Sequence, residues 1–171
     1  MDEARFGRIN RPVRCWAPAG TRPVVDCQMV REYTYAYGAV CPADGDLVSL
    51  VLPSMQTVCF ELFCAEIAAR HAEELIVVVC DGAASHTTHE LTLPENLRIV
   101  TLPPYSPELN PTEQLWDLIR ERWFANVAHD SMHAVQDTLV AALCALEDDP
   151  ATIRSLTHRD WIVNPTTLTA G

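Results

Sequence analysis

Residues 74–81, ELIVVVCD, are the stretch that decides the predicted fold. A continuous apolar run of this length is typical of a central strand that is buried on both faces of a sheet. In sheets that alternate strands with helices, ligands and catalytic groups gather at the carboxyl ends of such strands. Asp81, at that end, is therefore a candidate site residue, and an aspartate that merely caps the next turn is the simpler interpretation.

The segments around this strand predict an α/β fold, a mixed sheet with helices packed on its faces. The pattern of residues 32–40, EYTYAYGAV, predicts a strand exposed on one face, because aromatic and small side chains alternate there. Further extended segments are predicted at 3–9, 13–17, 22–27, 47–52 and 97–102. Helices are predicted from Ser54 or Thr57, around 86–92, from Pro111, from about Ser131 and from Asp149–Pro150.

Length, composition and charge limit the class of protein. A chain of 171 residues with 49% hydrophobic residues predicts a single globular domain over 1–171. It has no apolar run of bilayer length and no apolar region near its first residues, which predicts a cytoplasmic location. Net charge is −11 without any lysine, yet residues 1–31 hold six arginines against three acids. Weak binding of nucleic acid is therefore expected, and it is expected at this N-terminal segment.

Cysteine and histidine spacing gives no metal-binding signature. The seven cysteines are odd in number and lack a CxxC pair, which predicts reduced, mostly buried thiols rather than disulfides or a zinc site. His129 and His133 are four positions apart, but the predicted helix begins between them at Ser131. We expect both to be surface histidines.

Residues 102–116, LPPYSPELNPTEQLW, combine a proline-rich loop with the start of a helix. Asn110, Pro111 and Glu113 match a capping box, with Asn110 at the N-cap and the Glu113 carboxylate bonding back to the amide of the cap. At 100° per residue, Glu113 lies about 60° from Trp116 around the helix, at the border of the buried stripe. This position suits a cap, and it also suits a metal ligand that points across the end of the sheet.

Three acids of the chain can converge at one edge of such a sheet. Asp2 belongs to the first extended segment, Asp81 ends the apolar strand and Glu113 begins the helix. Clustered carboxylates repel one another unless a divalent cation neutralises them. Two such ions about 4 Å apart can clamp the attacking and leaving oxygens of a phosphoryl transfer.

Three sequence blocks resemble the catalytic domain of DDE transposases, in the bacterial insertion-sequence branch of the mariner-like superfamily. They are DEARFGRINRPVRCWAPAGTRP (2–23), VVVCDGAASH (77–86) and LRIVTLPPYSPELNPTEQLW (97–116). The resemblance implies a ribonuclease-H-like fold and metal-dependent cleavage and joining of DNA at transposon ends. It implies that Asp2 and Asp81 bridge two Mg²⁺ or Mn²⁺ ions and that Glu113 completes one shell.

The same resemblance assigns supporting residues and partners. His86 and Asn110 would touch DNA or orient Glu113, while Tyr105 and Ser106 would shape the loop. The implied partners are transposon-end and target DNA, a second copy in a homodimeric DNA complex, and a separate helix-turn-helix chain. This last partner is implied because family members carry helix-turn-helix modules upstream of the first acid, and the 171 residues contain none.

Two other hypotheses remain open from the sequence. The chain can be an inactive transposase remnant, or a subunit that needs a separate DNA-binding chain. It can also be a structural or small-molecule α/β domain, in which Asp81 and Glu113 only cap local structure.

Overall fold

The computed structural model describes residues 1–10, 12–83, 91–104 and 106–163. The helix predicted around 86–92 lies largely outside the described residues. The strands are β1 (Asp2–Gly7), β2 (Tyr33–Val40), β3 (Leu47–Leu52), β4 (Ile76–Cys80) and β5 (Leu97–Thr101). The helices are α1 (Thr57–Arg70), α2 (Glu113–Ile119), α3 (Met132–Glu147), α4 (Pro150–Thr157) and α5 (Asp160–Val163). A 3₁₀ turn at Pro107–Leu109 precedes α2, and a π-helical turn at Arg120–Phe124 follows it. Within the described ranges, no helix has the length and apolar character to cross a membrane.

The strands form an antiparallel group and a parallel pair. β1, β2 and β3 are antiparallel in that spatial order, with Asp2 opposite Gly38, and β4 pairs with β5 in parallel. The Met1 nitrogen donates to the carbonyl oxygen of Val79 at 2.8 Å. This bond places the start of β1 beside the end of β4, and so the two groups meet at the edge where Asp81 follows its strand.

Two hydrophobic clusters pack on opposite sides of β2. Ala36 belongs to the cluster that is built with α2, α3 and α4, and Tyr37 belongs to the cluster built with α1, β4 and β5. Neighbouring residues of a strand point to opposite faces, so β2 is covered on both sides. The first cluster includes Phe6, Leu115, Trp116, Ile119, Leu139, Leu143 and Ile153. The second includes Phe60, Phe63, Cys64, Ile67, Val78 and Leu97.

The predicted burial of β2 and β4 is wrong for both strands. β4 is half exposed, since Val77 and Val79 are 57% and 40% exposed while Val78 and Cys80 are buried. β2, predicted to have one exposed face, instead buries Tyr37 completely. The Tyr37 hydroxyl donates to the Ser54 carbonyl oxygen at 2.9 Å, and this bond satisfies the polar end of a buried phenol.

The segment between β1 and β2 contains no strand in its described part, residues 8–10 and 12–32. The extended segments predicted at 13–17 and 22–27 are therefore wrong. Short apolar patches between prolines lack a neighbouring strand to pair with, and proline provides no donor for a ladder. Side chains hold part of the segment instead: the Asn10 amide donates to the Asp26 carbonyl oxygen at 2.7 Å, and its oxygen accepts from the Gln28 backbone at 2.9 Å.

The two later helices begin where the sequence predicts. The Ser131 hydroxyl oxygen accepts from the Ala134 amide at 3.1 Å at the start of α3. The Asp149 carboxylate accepts from the Thr152 amide at 3.1 Å, with Pro150 in the first turn of α4. Such caps satisfy amides that have no partner inside the helix.

Two predictions about single side chains fail. Four of the seven cysteines are exposed, so the thiols are not mostly buried; these are Cys15, Cys27, Cys41 and Cys144. His129 is buried rather than on the surface, with Nε2 3.0 Å from the Thr138 hydroxyl and its ring beside that of Phe124. His133 is exposed and pairs with Asp137 at 2.6 Å, as expected of a surface residue.

Substitution of Gly45 is expected to destabilise the fold more than substitution of Gly20. Both have a left-handed backbone, with φ of +85° and +83°, which costs an alanine about 1–2 kcal/mol. A Cβ at Gly45 would also collide with the carbonyl group of Pro150, whereas a Cβ at Gly20 meets nothing within 4 Å. We expect Gly45→Ala to cost at least about 1 kcal/mol more than Gly20→Ala in urea unfolding. Equal losses would contradict this contact.

Candidate active site

Asp2 is held at the edge of the sheet by a residue of α2. The indole Nε1 of Trp116 donates to Oδ2 of Asp2 at 2.8 Å, although the two residues are 114 positions apart. Trp116 lies three residues after Glu113, and therefore on nearly the same side of the helix. The hydrogen bond thus brings the first predicted acid next to the helix that carries the third.

Asp81 lies directly after β4, at the carboxyl end of that strand. Its Oδ1 accepts from the Ala83 amide at 3.0 Å and so closes a local turn, while the helix that Asp81 would cap lies largely outside the described residues. The bond from Met1 to Val79 lies two positions before Asp81. Asp2 and Asp81 are consequently at the same edge, where the two groups of strands meet.

The capping box predicted for the start of α2 is not formed. The buried Asn110 side chain accepts from the Thr112 amide at 3.2 Å, but this bond closes a turn before the helix, whose N-cap residue is Thr112 rather than Asn110. The helix itself begins at Glu113 and has no side-chain cap bond to its first turn. The Glu113 side chain is exposed. Across the described residues, no hydrogen bond joins its carboxylate to the Asn110 amide, so the second half of the predicted capping box is missing too.

The three carboxylates affect one another electrostatically. Burial raises the pKa of Asp2 to about 6; the Trp116 hydrogen bond opposes this rise, and the charges of Glu3 and Glu113 add to it. Burial also raises the pKa of Glu113, and the charges of Asp117 and Asp81 raise it further. These couplings link Asp2 to Glu113 and Glu113 to Asp81, as expected of acids that share one edge.

The donor chemistry of this edge fits a divalent cation such as Mg²⁺ or Mn²⁺. These ions prefer carboxylate oxygens, and a bound cation relieves the mutual repulsion that adds to the effect of burial on the pKa values of Asp2 and Glu113. Among the residues that the structure describes, no three histidine, cysteine or acidic side chains form a group that could hold a metal ion.

The pKa of Asp2 predicts how stability changes with pH in the metal-free protein. A carboxyl group with a raised folded-state pKa stabilises the fold while it is protonated, and this contribution is lost as pH rises from about 4 through 6. Asparagine at this position keeps an oxygen that can accept from Trp116 but never ionises. We therefore expect Asp2→Asn to be more stable than wild type by about 2 kcal/mol at pH 7.

The measurement is urea unfolding of both proteins between pH 4 and 7.5. The difference between them should grow across the window from about pH 4 to 6. Asp44→Asn provides a control, because the Asp46 backbone amide lowers the pKa of Asp44, so this variant should be less stable than wild type by a nearly constant amount above pH 4. A constant difference between Asp2→Asn and wild type across this window would contradict the raised pKa of Asp2.

An arginine-lined cleft, which Asp117 and Glu121 also line, lies between the later half of β1 and the end of α2. Its volume is about 810 Å³, and Arg5, Arg14 and Arg120 are among its lining residues. The guanidinium of Arg5 lies 4.4 Å from the centre of the Tyr33 ring, and that of Arg120 lies 5.2 Å from the Phe6 ring. Ring contacts of this kind restrict long, flexible cationic side chains to defined positions.

Of the four predicted supporting residues, the structure describes Asn110 and Ser106. Asn110 closes the turn before α2, and the Ser106 hydroxyl donates to the Pro104 carbonyl oxygen at 3.4 Å within the loop. His86 and Tyr105 lie outside the described residues. Their predicted roles and that of Asn110 in contacting DNA stay predictions.

Sequence reasoning missed Trp116 and Gly38 as parts of this site. Trp116 was predicted only as a member of the buried stripe of its helix, and Gly38 only as a small residue in a strand. The sequence contains one local indication of this contact: Trp116 follows Glu113 by one turn, and the N–H group of a buried tryptophan requires a hydrogen-bond acceptor. The identity of that acceptor depends on the tertiary fold.

Three solved structures of Mos1 transposase complexes have similar folds. The pre-cleavage transpososome has a TM-score of 0.63 at 16% identity and matches 91% of this chain. The mariner paired-end complex with Mn has 0.62 at 14% and matches 96%. The paired-end complex with left transposon end has 0.58 at 14% and matches 90%. These similarities confirm the predicted ribonuclease-H-like α/β fold. This chain spans about half of each Mos1 chain, 51%, 54% and 53% respectively.

Sequence comparison is consistent with these structural similarities. The uncharacterized protein y4pE/y4sA of Sinorhizobium fredii is 36% identical over 134 residues, which cover 75% of this chain and 96% of that protein. The model of the DDE superfamily endonuclease family matches residues 1–136, a range that contains Asp2, Asp81 and Glu113. The chain thus belongs to the DDE superfamily endonucleases, as its sequence motifs predict.

Proposed function

We propose that this chain is the catalytic core of a transposase that cleaves DNA at transposon ends and joins those ends to target DNA. The observation that carries the proposal is the hydrogen bond from Trp116 to Asp2, because it unites the first acid with the helix of Glu113. Membership of the DDE superfamily endonucleases supports the reaction class. The Mos1 complexes with transposon DNA show a similar fold in proteins of that activity.

In this proposal Asp2, Asp81 and Glu113 hold two Mg²⁺ or Mn²⁺ ions. Bound divalent ions lower the pKa of a water or hydroxyl nucleophile and stabilise the leaving oxygen of a phosphodiester. Asp2 and Asp81 would contact both ions, and Glu113 would contact one. Two observations support this arrangement: the start of β1 lies beside the end of β4, and the Asn110 side chain bonds to the Thr112 amide just before α2.

The protonation states of the acids suit this role at neutral pH. The pKa of Asp2, about 6, leaves its carboxylate ionised above pH 7 and available as a ligand. Glu113 is exposed and does not close the capping box, so its carboxylate is accessible from the solvent side. Both groups can therefore bind cations without first breaking a buried ion pair.

DNA would approach along the arginine-lined cleft and the N-terminal segment. Arg5, Arg14 and Arg120 line the cleft, and Arg120 follows Glu113 by two helical turns. Arg22 and Arg31 are exposed in the segment between β1 and β2. Arginine is the side chain that best matches phosphate oxygens, and residues 1–31 hold six arginines against three acids. The second copy and the separate helix-turn-helix chain stay predictions.

The proposal is tested with DNA that carries the ends of the element encoding this chain. We expect strand nicks at the element boundary, with 3′-hydroxyl products, in Mg²⁺ or Mn²⁺ and none in EDTA. The reaction is run with and without a helix-turn-helix chain of the same element. A folded protein that cuts under neither condition would contradict the proposal and favour the inactive-remnant hypothesis.

A further inference from the structure

The contact between Trp116 and Asp2 depends on a very close approach of the indole to the sheet. Trp116 is 2% exposed, and its ring meets the Phe6 ring edge to face at 6.2 Å and 71°. On its other side lies Gly38, the strand partner of Asp2. A Cβ at Gly38 would stand 2.7 Å from Cη2 and 3.1 Å from Cζ2 of the indole. The bare backbone of Gly38 thus provides the space that the ring occupies.

We propose that Trp116 is a positioning residue for Asp2 and that Gly38 makes this role possible. The inference rests on the proposed function, since it takes Asp2 as a metal ligand. A carboxylate on a strand edge can rotate about its side-chain bonds. The indole N–H binds Oδ2 and so fixes the carboxylate in one orientation, which leaves Oδ1 for a cation. Groups that hydrogen-bond to metal ligands commonly tune affinity in this manner.

The geometry gives this contact a second effect. Trp116 and Glu113 belong to the same short helix, so the hydrogen bond also sets the distance from α2 to the start of β1. A residue that only filled the core would pack equally well with another ring of similar size. The indole nitrogen adds a specific link between two of the three acids.

The test compares Trp116→Phe with wild type in Mn²⁺ binding, measured by electron paramagnetic resonance of the free ion. Phenylalanine keeps a buried ring but has no N–H to donate. We expect about 10-fold weaker binding, the usual scale for loss of such a partner. Trp123→Phe is the matched control, because Trp123 packs against the same cluster and has no bond to Asp2. Its affinity should match that of wild type.

Gly38→Ala tests the same contact without removing the indole nitrogen. The added methyl group must displace the ring, so we again expect about 10-fold weaker Mn²⁺ binding. A phenyl ring is shorter than an indole and lacks Cη2 and Cζ2. In the Trp116→Phe background, Gly38→Ala should therefore change the affinity less than about twofold. Additive losses in this double-mutant cycle would overturn the role of Gly38.

A spectroscopic signature separates positioning from packing. In ¹⁵N-labelled protein, the indole N–H resonance of Trp116 should shift on Asp2→Asn and on addition of Mg²⁺, whereas that of Trp123 should not. Thermal unfolding verifies that each variant is folded. If wild type binds Mn²⁺ and Trp116→Phe binds it equally well, the positioning role is wrong and the proposed function is untouched. If folded wild type binds no Mn²⁺, both proposals are overturned.

Discussion

Glu113→Gln is expected to reduce metal-dependent nicking of transposon-end DNA by at least about 100-fold. Glutamine has the same shape but lacks the negative charge, so its carbonyl oxygen is a much weaker ligand for a divalent cation than a carboxylate. The fold should tolerate the change, because the Glu113 side chain is exposed and α2 begins without a side-chain cap bond. Loss of activity without loss of stability would therefore identify a ligand rather than a structural carboxylate.

Glu73→Gln is the control for this experiment. Glu73 lies just after α1, away from the arginine-lined cleft, is exposed and loses the same charge on substitution. Its nicking rate should stay within about twofold of wild type, as for most surface substitutions. Both variants are assayed in Mn²⁺ and in Mg²⁺ at one ionic strength, because DNA binding depends on salt. Equal activity of wild type and Glu113→Gln would contradict the role assigned to Glu113.

Phe63→Ala is expected to have the largest effect on stability. Phe63 is 0% exposed in the cluster between α1 and the sheet, and its ring centre lies 5.5 Å from that of Tyr37. Removal of a buried phenyl ring costs about 3–5 kcal/mol, through lost burial and the cavity that remains. Domains of this size are stable by only about 5–15 kcal/mol, so the variant should be close to unfolding at 37 °C.

Leu62→Ala, one residue earlier on the same helix, is the matched control. Leu62 is 55% exposed, so its loss should cost less than about 1 kcal/mol. Urea unfolding at 25 °C measures both differences in the free energy of unfolding. Similar losses for the two variants would mean that the cluster beneath α1 is not the packed core described above.

The order and type of most elements could be predicted from the sequence, but the burial of individual strands could not. The apolar run of β4 predicts burial on both faces, whereas the aromatic alternation of β2 predicts one exposed face. The structure shows the opposite, since β2 lies between two helical layers and β4 has one exposed face. Burial of a strand depends on which helices cover it, and that is a property of the whole fold.

In the candidate site, too, the features with local sequence signals could be predicted and those that depend on the tertiary fold could not. Asp81 and Glu113 could be predicted because their signals are local: the end of an apolar run, and a helix start after a proline-rich loop. The structural link to Asp2 could not be predicted, because it spans 114 positions and needs a glycine opposite Asp2 in the neighbouring strand. Only the strand register places Gly38 beneath the indole.

The connections between neighbouring strands differ in length, and this difference affects the order in which the sheet assembles. Residues 41–46 connect β2 to β3, whereas residues 8–32 connect β1 to β2. Closing the longer loop costs roughly 1 kcal/mol more in chain entropy. The β2–β3 hairpin is thus favoured to form early, and β1 is favoured to join it late. Asp2 lies on this late strand, so a partly folded chain that has already paired β2 with β3 still lacks the complete set of acids. The proposed cleavage of DNA would then require the completely folded chain.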